Sequence, residues 1–147
     1  MVGSTDGSGQ VDIRRLRPGD DELVAAASHL FDGPADREAT RRFLADERHH
    51  LLVAYVDGRA AGFVSGVEMT HPDKGTEMLL YELAVDGPYR NAGLGRTLVA
   101  RLRDVAAERG CYGMWVLTDD DNGAALAAYT AAGGVRRGVH VMLDWTF

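Results

Sequence analysis

The sequence predicts an α/β (α+β) fold of three layers, a mixed sheet with helices on both faces, and three observations predict it. Apolar runs of strand length and helical stretches follow one another as strand, two helices, three strands, helix, strand, helix, strand. Asp57-Gly58 stands between two apolar runs, the pattern of a tight antiparallel hairpin. Residues 93–109 place Leu94, Leu98, Leu102 and Val105 on one stripe of a helix and turn Arg101, Asp104 and Glu108 outward, so this helix has one face to bury.

Residues 1–10 (MVGSTDGSGQ) are rich in Gly and Ser, lack apolar anchors and read as a mobile tail, leaving residues 11–147 as one domain. Residues 11–16 alternate Val, Ile and Leu with Asp and Arg, as a half-exposed strand does. Pro18-Gly19-Asp20 breaks that strand and offers an N-cap to a helix reaching about Phe31. Gly33-Pro34 ends this helix, and residues 36–46 form a second. Residues 51–56 and 60–69 are the hairpin strands, and residues 71–76 a loop. Residues 77–85 (EMLLYELAV) are a third long strand, apolar except at Glu77 and Glu82, as expected of a strand covered on both faces. Gly110 stops the long helix, and residues 113–117 read as a buried strand centred on Trp115. The Ala-rich residues 123–132 make the last helix, ended by Gly133-Gly134, and residues 139–147 alternate again as a closing strand.

Composition excludes several classes of function. The 147 residues suit one domain, and 46% apolar with 26% charged residues is ordinary globular usage. A net charge of −6 argues against a nucleic-acid partner, which needs a basic face to displace counterions. It suits a cationic substrate, and it equally serves solubility. No run approaches the roughly 20 apolar residues of a membrane span, so no membrane partner is expected. Cys111 is the single cysteine, and His29, His49, His50, His71 and His140 are scattered, so neither a disulfide nor a metal site is expected. A reducing, cytoplasmic home is the simplest expectation.

The chemistry enters between the third long strand and the long helix, where Arg90, Gly93 and Gly95 form an R-x-x-G-x-G arrangement. Glycines admit a ligand close to the backbone, and the first turn of a helix has N–H groups without intrahelical partners. With the helix dipole and Arg90 or Arg96 nearby, these donors suit a diphosphate. A Rossmann fingerprint would need a third glycine and a distant acid, and a P-loop would need Gly-Lys-Ser/Thr where this chain has Gly95-Arg96-Thr97.

These residues resemble the GNAT N-acetyltransferase superfamily. Leu83-Ala84-Val85, Pro88-Tyr89-Arg90 and Gly93-Leu94-Gly95 are similar to its acetyl-CoA motif, and Asn122, Ala125 and Tyr129, followed by Gly133, look like its second landmark. The resemblance covers about residues 11–147. It implies a GNAT-like fold with a mostly antiparallel central sheet, acetyl-CoA as cosubstrate and a small-molecule amine as acceptor. In such proteins the strand matching Leu83, Ala84 and Val85 splays from its neighbour at a bulge and pairs its backbone with the pantetheine arm. The resemblance further implies that amides at Asn91, Ala92, Gly93, Leu94, Gly95 and Arg96 hold the pyrophosphate, in the turn between Arg90 and Thr97. Asn122 would contact the pantetheine portion. Tyr129 would protonate the departing thiolate, where its alternative is a core aromatic. Family members are often dimers, so a homodimer through the terminal strand is one reading of Trp145-Thr146-Phe147, and completion of the core is the other.

Acetylating an amine requires that the amine lose a proton, and Glu82 interrupts an apolar strand where the family opens to substrate. A carboxylate among apolar neighbours has its pKa raised, which makes it a better base and keeps it attractive to a cationic amine. Local structural support is the alternative role for Glu82, and Glu77 is the weaker alternative base. Tyr81 points to the opposite face unless a bulge changes the parity. A narrower resemblance, carried by Tyr81-Glu82-Leu83-Ala84-Val85, Asp119, Ala128-Tyr129-Thr130 and Val141-Met142, is to small aminoglycoside 3-N-acetyltransferases of the antibiotic-resistance type. It implies substrate contacts from Tyr81, Glu82, Asp119, Asp120 and Asp121, although the acidic run equally reads as a solvated loop capping a helix. The counterpart of Glu82 in that subgroup is usually the shorter aspartate. Acetylation of a polyamine, another small amine or a protein N-terminus is the rival within the superfamily. A non-catalytic acetyl-CoA-binding regulatory module is the rival outside it.

Overall fold

The computed structural model describes residues 9–147, so most of the tail expected over residues 1–10 lies outside the described residues. The chain runs through β1 (Val11–Arg15), α1 (Asp21–Ala26), a 3-10 turn (Ser28–Leu30), α2 (Arg37–Ala45), β2 (His49–Val56) and β3 (Arg59–His71). It continues with β4 (Gly75–Val85), a second 3-10 turn (Gly87–Tyr89), α3 (Leu94–Glu108), β5 (Met114–Trp115) and α4 (Gly123–Ala131). Among the described residues, five strands form one sheet in the order β1-β2-β3-β4-β5. The first four are antiparallel, and β5 is parallel to β4, so the expected mixed and mostly antiparallel sheet is present.

Period-two alternation in the strands divides the core into two layers. On one face Leu52, Ala54, Val64, Met78 and Leu80 pack against Leu94, Leu98, Val99 and Leu102 of α3. On the other, Leu51, Val53, Tyr55 and Phe63 pack against Val24 of α1 and Leu44 of α2. Leu98 is fully buried at the centre of the first layer. Leu98→Ala is expected to cost about 2–5 kcal/mol of unfolding free energy, because lost transfer energy and a cavity add. Urea denaturation followed by circular dichroism checks this, with the midpoint falling and the slope unchanged.

The far end of α3 is held to the sheet by a buried polar cluster. The Glu68 Oε2 accepts from His50 Nε2 at 2.7 Å and from Arg109 Nε at 3.0 Å. Burial holds the His50 pKa below its ordinary value, so the ring is a neutral donor that satisfies the carboxylate without adding a second buried charge.

Four sequence expectations are corrected. The first helix ends at Ala26 and gives way to the 3-10 turn, with no side-chain N-cap from Asp20, whose carboxylate instead accepts from the Arg17 amide at 2.7 Å. The loop expected at residues 71–76 shrinks to a tight turn, because Thr70 and His71 still pair with Thr76 and Gly75. The strand expected over residues 113–117 reduces to Met114–Trp115, and Trp115 is exposed rather than buried, on the outermost strand of the sheet. Residues 139–147 form no strand: their apolar side chains alternate as one would, yet among the described residues no neighbour pairs with them and all are exposed.

Candidate active site

A single extra residue in β4 shapes the site. Ser65 pairs with Glu82 and Gly66 with Leu80, so Tyr81 is a bulge with no partner on β3. The bulge inverts the side-chain parity of the strand. Met78 and Leu80 lie in the α3-side core before it, and Leu83 and Val85 pack against that same core after it. Tyr81 itself is exposed. Beyond the bulge, β4 also parts from β5, since parallel pairing stops at Leu79 with Trp115. The backbone edge of residues 80–85 thus faces a gap where a continuous sheet would have placed a strand.

The mouth of that gap is the start of α3. Asn91 has φ 62° and Gly93, at the N-cap, φ 81°. These two left-handed residues fold the turn so that the helix begins without any side chain capping it. The first intrahelical bond from this turn comes from the Thr97 amide to the Gly93 carbonyl, at 3.0 Å, which leaves the amides of Leu94, Gly95 and Arg96 for a ligand. A Cβ at Gly93 would meet nothing within 4 Å, so this is open space. Gly95 is the opposite case: a Cβ there would stand 3.5 Å from Ala128 and 3.8 Å from Leu83 and Val85. That contact brings the start of α3, the end of β4 and α4 to one place. Arg90 does not point freely outward, because its Nε donates to the Val85 carbonyl at 3.0 Å and ties the turn to the strand end. The Thr97 hydroxyl likewise turns inward, donating to Gly93 at 2.9 Å. An exposed strand edge leading to a helix start with unspent amides fits the pantetheine arm and diphosphate of acetyl-CoA.

Glu82 and Tyr129 reach this region from different layers. Glu82 lies opposite Ser65 and two residues before Ala84, on the sheet face where Ala84 packs against the Phe63 core. Glu82 is exposed at this opening, yet partial desolvation by its neighbours pushes its pKa up, and the charge of Asp32 adds to the rise. Asp32 belongs to no motif in the sequence. It is placed by its neighbour Phe31, whose ring meets Phe63 edge-on at 4.9 Å, with Phe63 pairing in register with Ala84. Tyr129, on α4 beside Ala128, is half-buried against the α3-side core, and burial raises its phenol pKa. The helix end carrying it is pinned by the Gly134 amide, which donates to the Tyr129 carbonyl at 2.9 Å.

The remaining residues divide. Asn122 is the N-cap of α4, and its Oδ1 accepts from the Ala125 amide at 3.2 Å, leaving its side-chain NH2 for another partner. Asp119, Asp120 and Asp121 are exposed on the turn before α4, and among the described residues none of their carboxylates makes an ion pair. The acid acting on Glu82 is Asp32, not this run. Glu77 is engaged elsewhere, accepting from His71 Nε2 at 2.9 Å and from the Tyr112 hydroxyl at 2.8 Å, bonds that hold its pKa below the usual range. A carboxylate so occupied is a poor base.

Comparison with known proteins gives three likenesses. The L-2,4-diaminobutyric acid acetyltransferase of Streptomyces coelicolor is 38% identical over 91 residues, 61% of this chain and 52% of that protein. The [ribosomal protein bS18]-alanine N-acetyltransferase of Escherichia coli K12 is 39% identical over 57 residues, 39% of this chain and 38% of the relative. This chain therefore spans about half or less of the length of these relatives. An aminoglycoside acetyltransferase from an uncultured soil metagenomic sample, solved in complex with sisomicin, superimposes with a TM-score of 0.85 at 19% identity, covering 93% of this chain and 96% of the other. At that identity the likeness is one of fold. The acetyltransferase (GNAT) family matches this chain over residues 20–133, which hold the bulged strand, the open helix start and Tyr129, and the chain belongs to that family.

Proposed function

We propose that this chain transfers the acetyl group of acetyl-CoA to a primary amine of a small polycationic acceptor, with an aminoglycoside, acetylated at its 3-amino group, as the first choice. The observation that carries this reading is Glu82, exposed on the bulged strand at the opening between β4 and β5 and raised in pKa by partial desolvation and by Asp32. Two carboxylates on one side of the sheet suit an acceptor with more than one ammonium: one acid takes a proton while the other holds a neighbouring charge. Asp119, Asp120 and Asp121 extend the negative field toward the start of α4.

Bound acetyl-CoA would supply an activated acetyl thioester. The free amides of Leu94, Gly95 and Arg96, with Asn91, Ala92 and Gly93 forming the turn, hold its diphosphate, and the unpaired edge at Leu83, Ala84 and Val85 aligns the pantetheine arm. The Asn122 side-chain NH2 adds a donor to that arm. Glu82 accepts the proton of the acceptor ammonium, directly or through water, and leaves a neutral amine nucleophile. The Tyr129 hydroxyl holds the proton that the departing sulfur takes up. Such an activity would be of the antibiotic-modifying type, at home in the cytoplasm.

A second reading is favoured by the diaminobutyrate acetyltransferase likeness: a small diamine or diamino acid as acceptor, which would use the same pair of acids. A panel of aminoglycosides, polyamines, diamino acids and N-terminal peptides, assayed with acetyl-CoA for thiol release, tests the proposal. Turnover of aminoglycosides above the other amines is expected, with product analysis locating the acetyl group. Turnover of peptides alone would overturn the polycation reading. Binding of CoA without turnover of any amine, together with indifference to Glu82→Gln and Tyr129→Phe, would leave a regulatory module.

A further inference from the structure

We propose that His29 is a positioning residue for the acetyl transfer: its bond to the Ala60 carbonyl fixes the loop that carries Asp32 against Glu82. This role rests on Glu82 as the base, and it accounts for what holds the neighbouring acid in place. A second bulge, in β3, creates the need for that bond. Ala54 pairs with Gly62 and Tyr55 with Ala60, so Ala61 has no partner on β2. Ala60 and Ala61 are both buried, where a carbonyl without a donor would be costly. The Ala61 carbonyl accepts from the Asp86 amide at 2.8 Å, and the Ala60 carbonyl accepts from His29 Nε2 at 3.0 Å. The same nitrogen of His29 lies 3.9 Å from Asp86 Oδ2. Asp86 in turn caps the 3-10 turn that leads toward the start of α3, accepting from the Gly87 amide at 3.0 Å. His29 thus ties the Asp32 loop to the root of the diphosphate turn.

Residues 28–35 are held as one loop. The Ser28 hydroxyl donates to the Ala25 carbonyl at 2.7 Å and accepts from the Ala35 amide at 3.4 Å, which closes the loop on itself. Phe31 sets its ring edge-on against Phe63. Among the described residues, His29 makes the loop's one side-chain hydrogen bond to the sheet. A ring contact tolerates sliding, whereas a hydrogen bond is directional, so the two together orient the loop. Asp32 is exposed, and among the described residues its carboxylate makes no ion pair of its own. Its placement therefore follows the backbone that His29 and Phe31 anchor. Nε2 bears a hydrogen both in the neutral tautomer that donates and in the imidazolium, so the tie to Ala60 survives protonation. The charged group beside His29 is Asp86, and the one acting on Glu82 is Asp32.

Carbon-13 NMR titration of the glutamate carboxyls in the full chain tests this without any acceptor. The Glu82 signal is the one missing from Glu82→Gln. Asp32→Asn is expected to move the Glu82 titration to lower pH, because a repelling charge is gone. His29→Leu, which lacks the donor, is expected to move it the same way. The double variant should go no further than Asp32→Asn alone, since both changes act through one contact. His29→Gln, whose amide nitrogen replaces Nε2, is expected to keep the wild-type titration. A Glu82 titration that His29→Leu leaves unmoved, or two shifts that add, overturns the proposal. Should the leucine variant not fold, His29→Asn, too short to reach Ala60, takes its place with the same expectation. Undiminished thiol release by Glu82→Gln is a separate failure: it overturns the base assignment, and with it the catalytic meaning of His29, whatever the titrations show.

Discussion

Glu82→Gln is expected to lower kcat by about 10²–10⁴-fold, the range by which a positioned acid or base accelerates a proton transfer. That is about 3–5 kcal/mol of transition-state stabilisation. The glutamine keeps the shape and the hydrogen-bonding length of the side chain but cannot accept a proton, so binding of CoA should not change. The pH dependence makes the assignment specific. Partial desolvation and Asp32 raise the Glu82 pKa, so the base is lost as pH falls through a value above the ordinary glutamate range. The wild-type kcat/KM profile should therefore carry an acid limb displaced toward neutrality, and Asp32→Asn should move that limb back down. In Glu82→Gln the limb should vanish. The deficit should also narrow as pH rises toward the pKa of the acceptor amine, where neutral amine is available without a base. A variant whose loss is the same at every pH would assign Glu82 a structural role.

Tyr129→Phe is expected to reduce kcat by about 10²-fold or more, with little change in KM for acetyl-CoA. The ring stays in place against the α3-side core, so folding is preserved, and only the hydroxyl with its proton is removed. Burial raises the phenol pKa above its ordinary value near 10, which keeps the proton available through the physiological range. The effect should depend on the leaving group, because a better-leaving thiol needs less protonation. An acyl donor with a more acidic thiol should therefore recover much of the lost rate, whereas a packing defect would penalise both donors alike. Steady-state kinetics with the two donors separates these outcomes.

The parts of the site that were legible in the sequence are those specified by local pattern. The stripe of Leu94, Leu98 and Leu102 fixes α3 by its own period, and the glycines before it set the turn, so both were found within a residue or two. The bulge was foreseen only as a consequence of the family resemblance. Nothing in residues 77–85 marks Tyr81 as the unpaired residue, because a bulge is defined by the register of the strand opposite. Asp32 escaped for a similar reason: its position depends on Phe31 meeting Phe63, two rings far apart in the chain. Asn122 had two readings, and its capping bond to Ala125 occupies only its oxygen, so the structural and ligand roles use different atoms. Residues 139–147 show the converse error. Alternation establishes that a segment is able to be a strand, while pairing requires a neighbour, and among the described residues none pairs with this segment.

The account depends most on the unspent amides at the start of α3, reached along the open edge of β4. Isothermal titration of the folded protein with CoA tests them directly, before any acceptor is chosen. Saturable one-site binding is expected, weakened when Gly93→Val puts a β-branched residue where φ is 81°. No heat of binding at millimolar CoA, from protein shown by circular dichroism to be folded, would contradict the account.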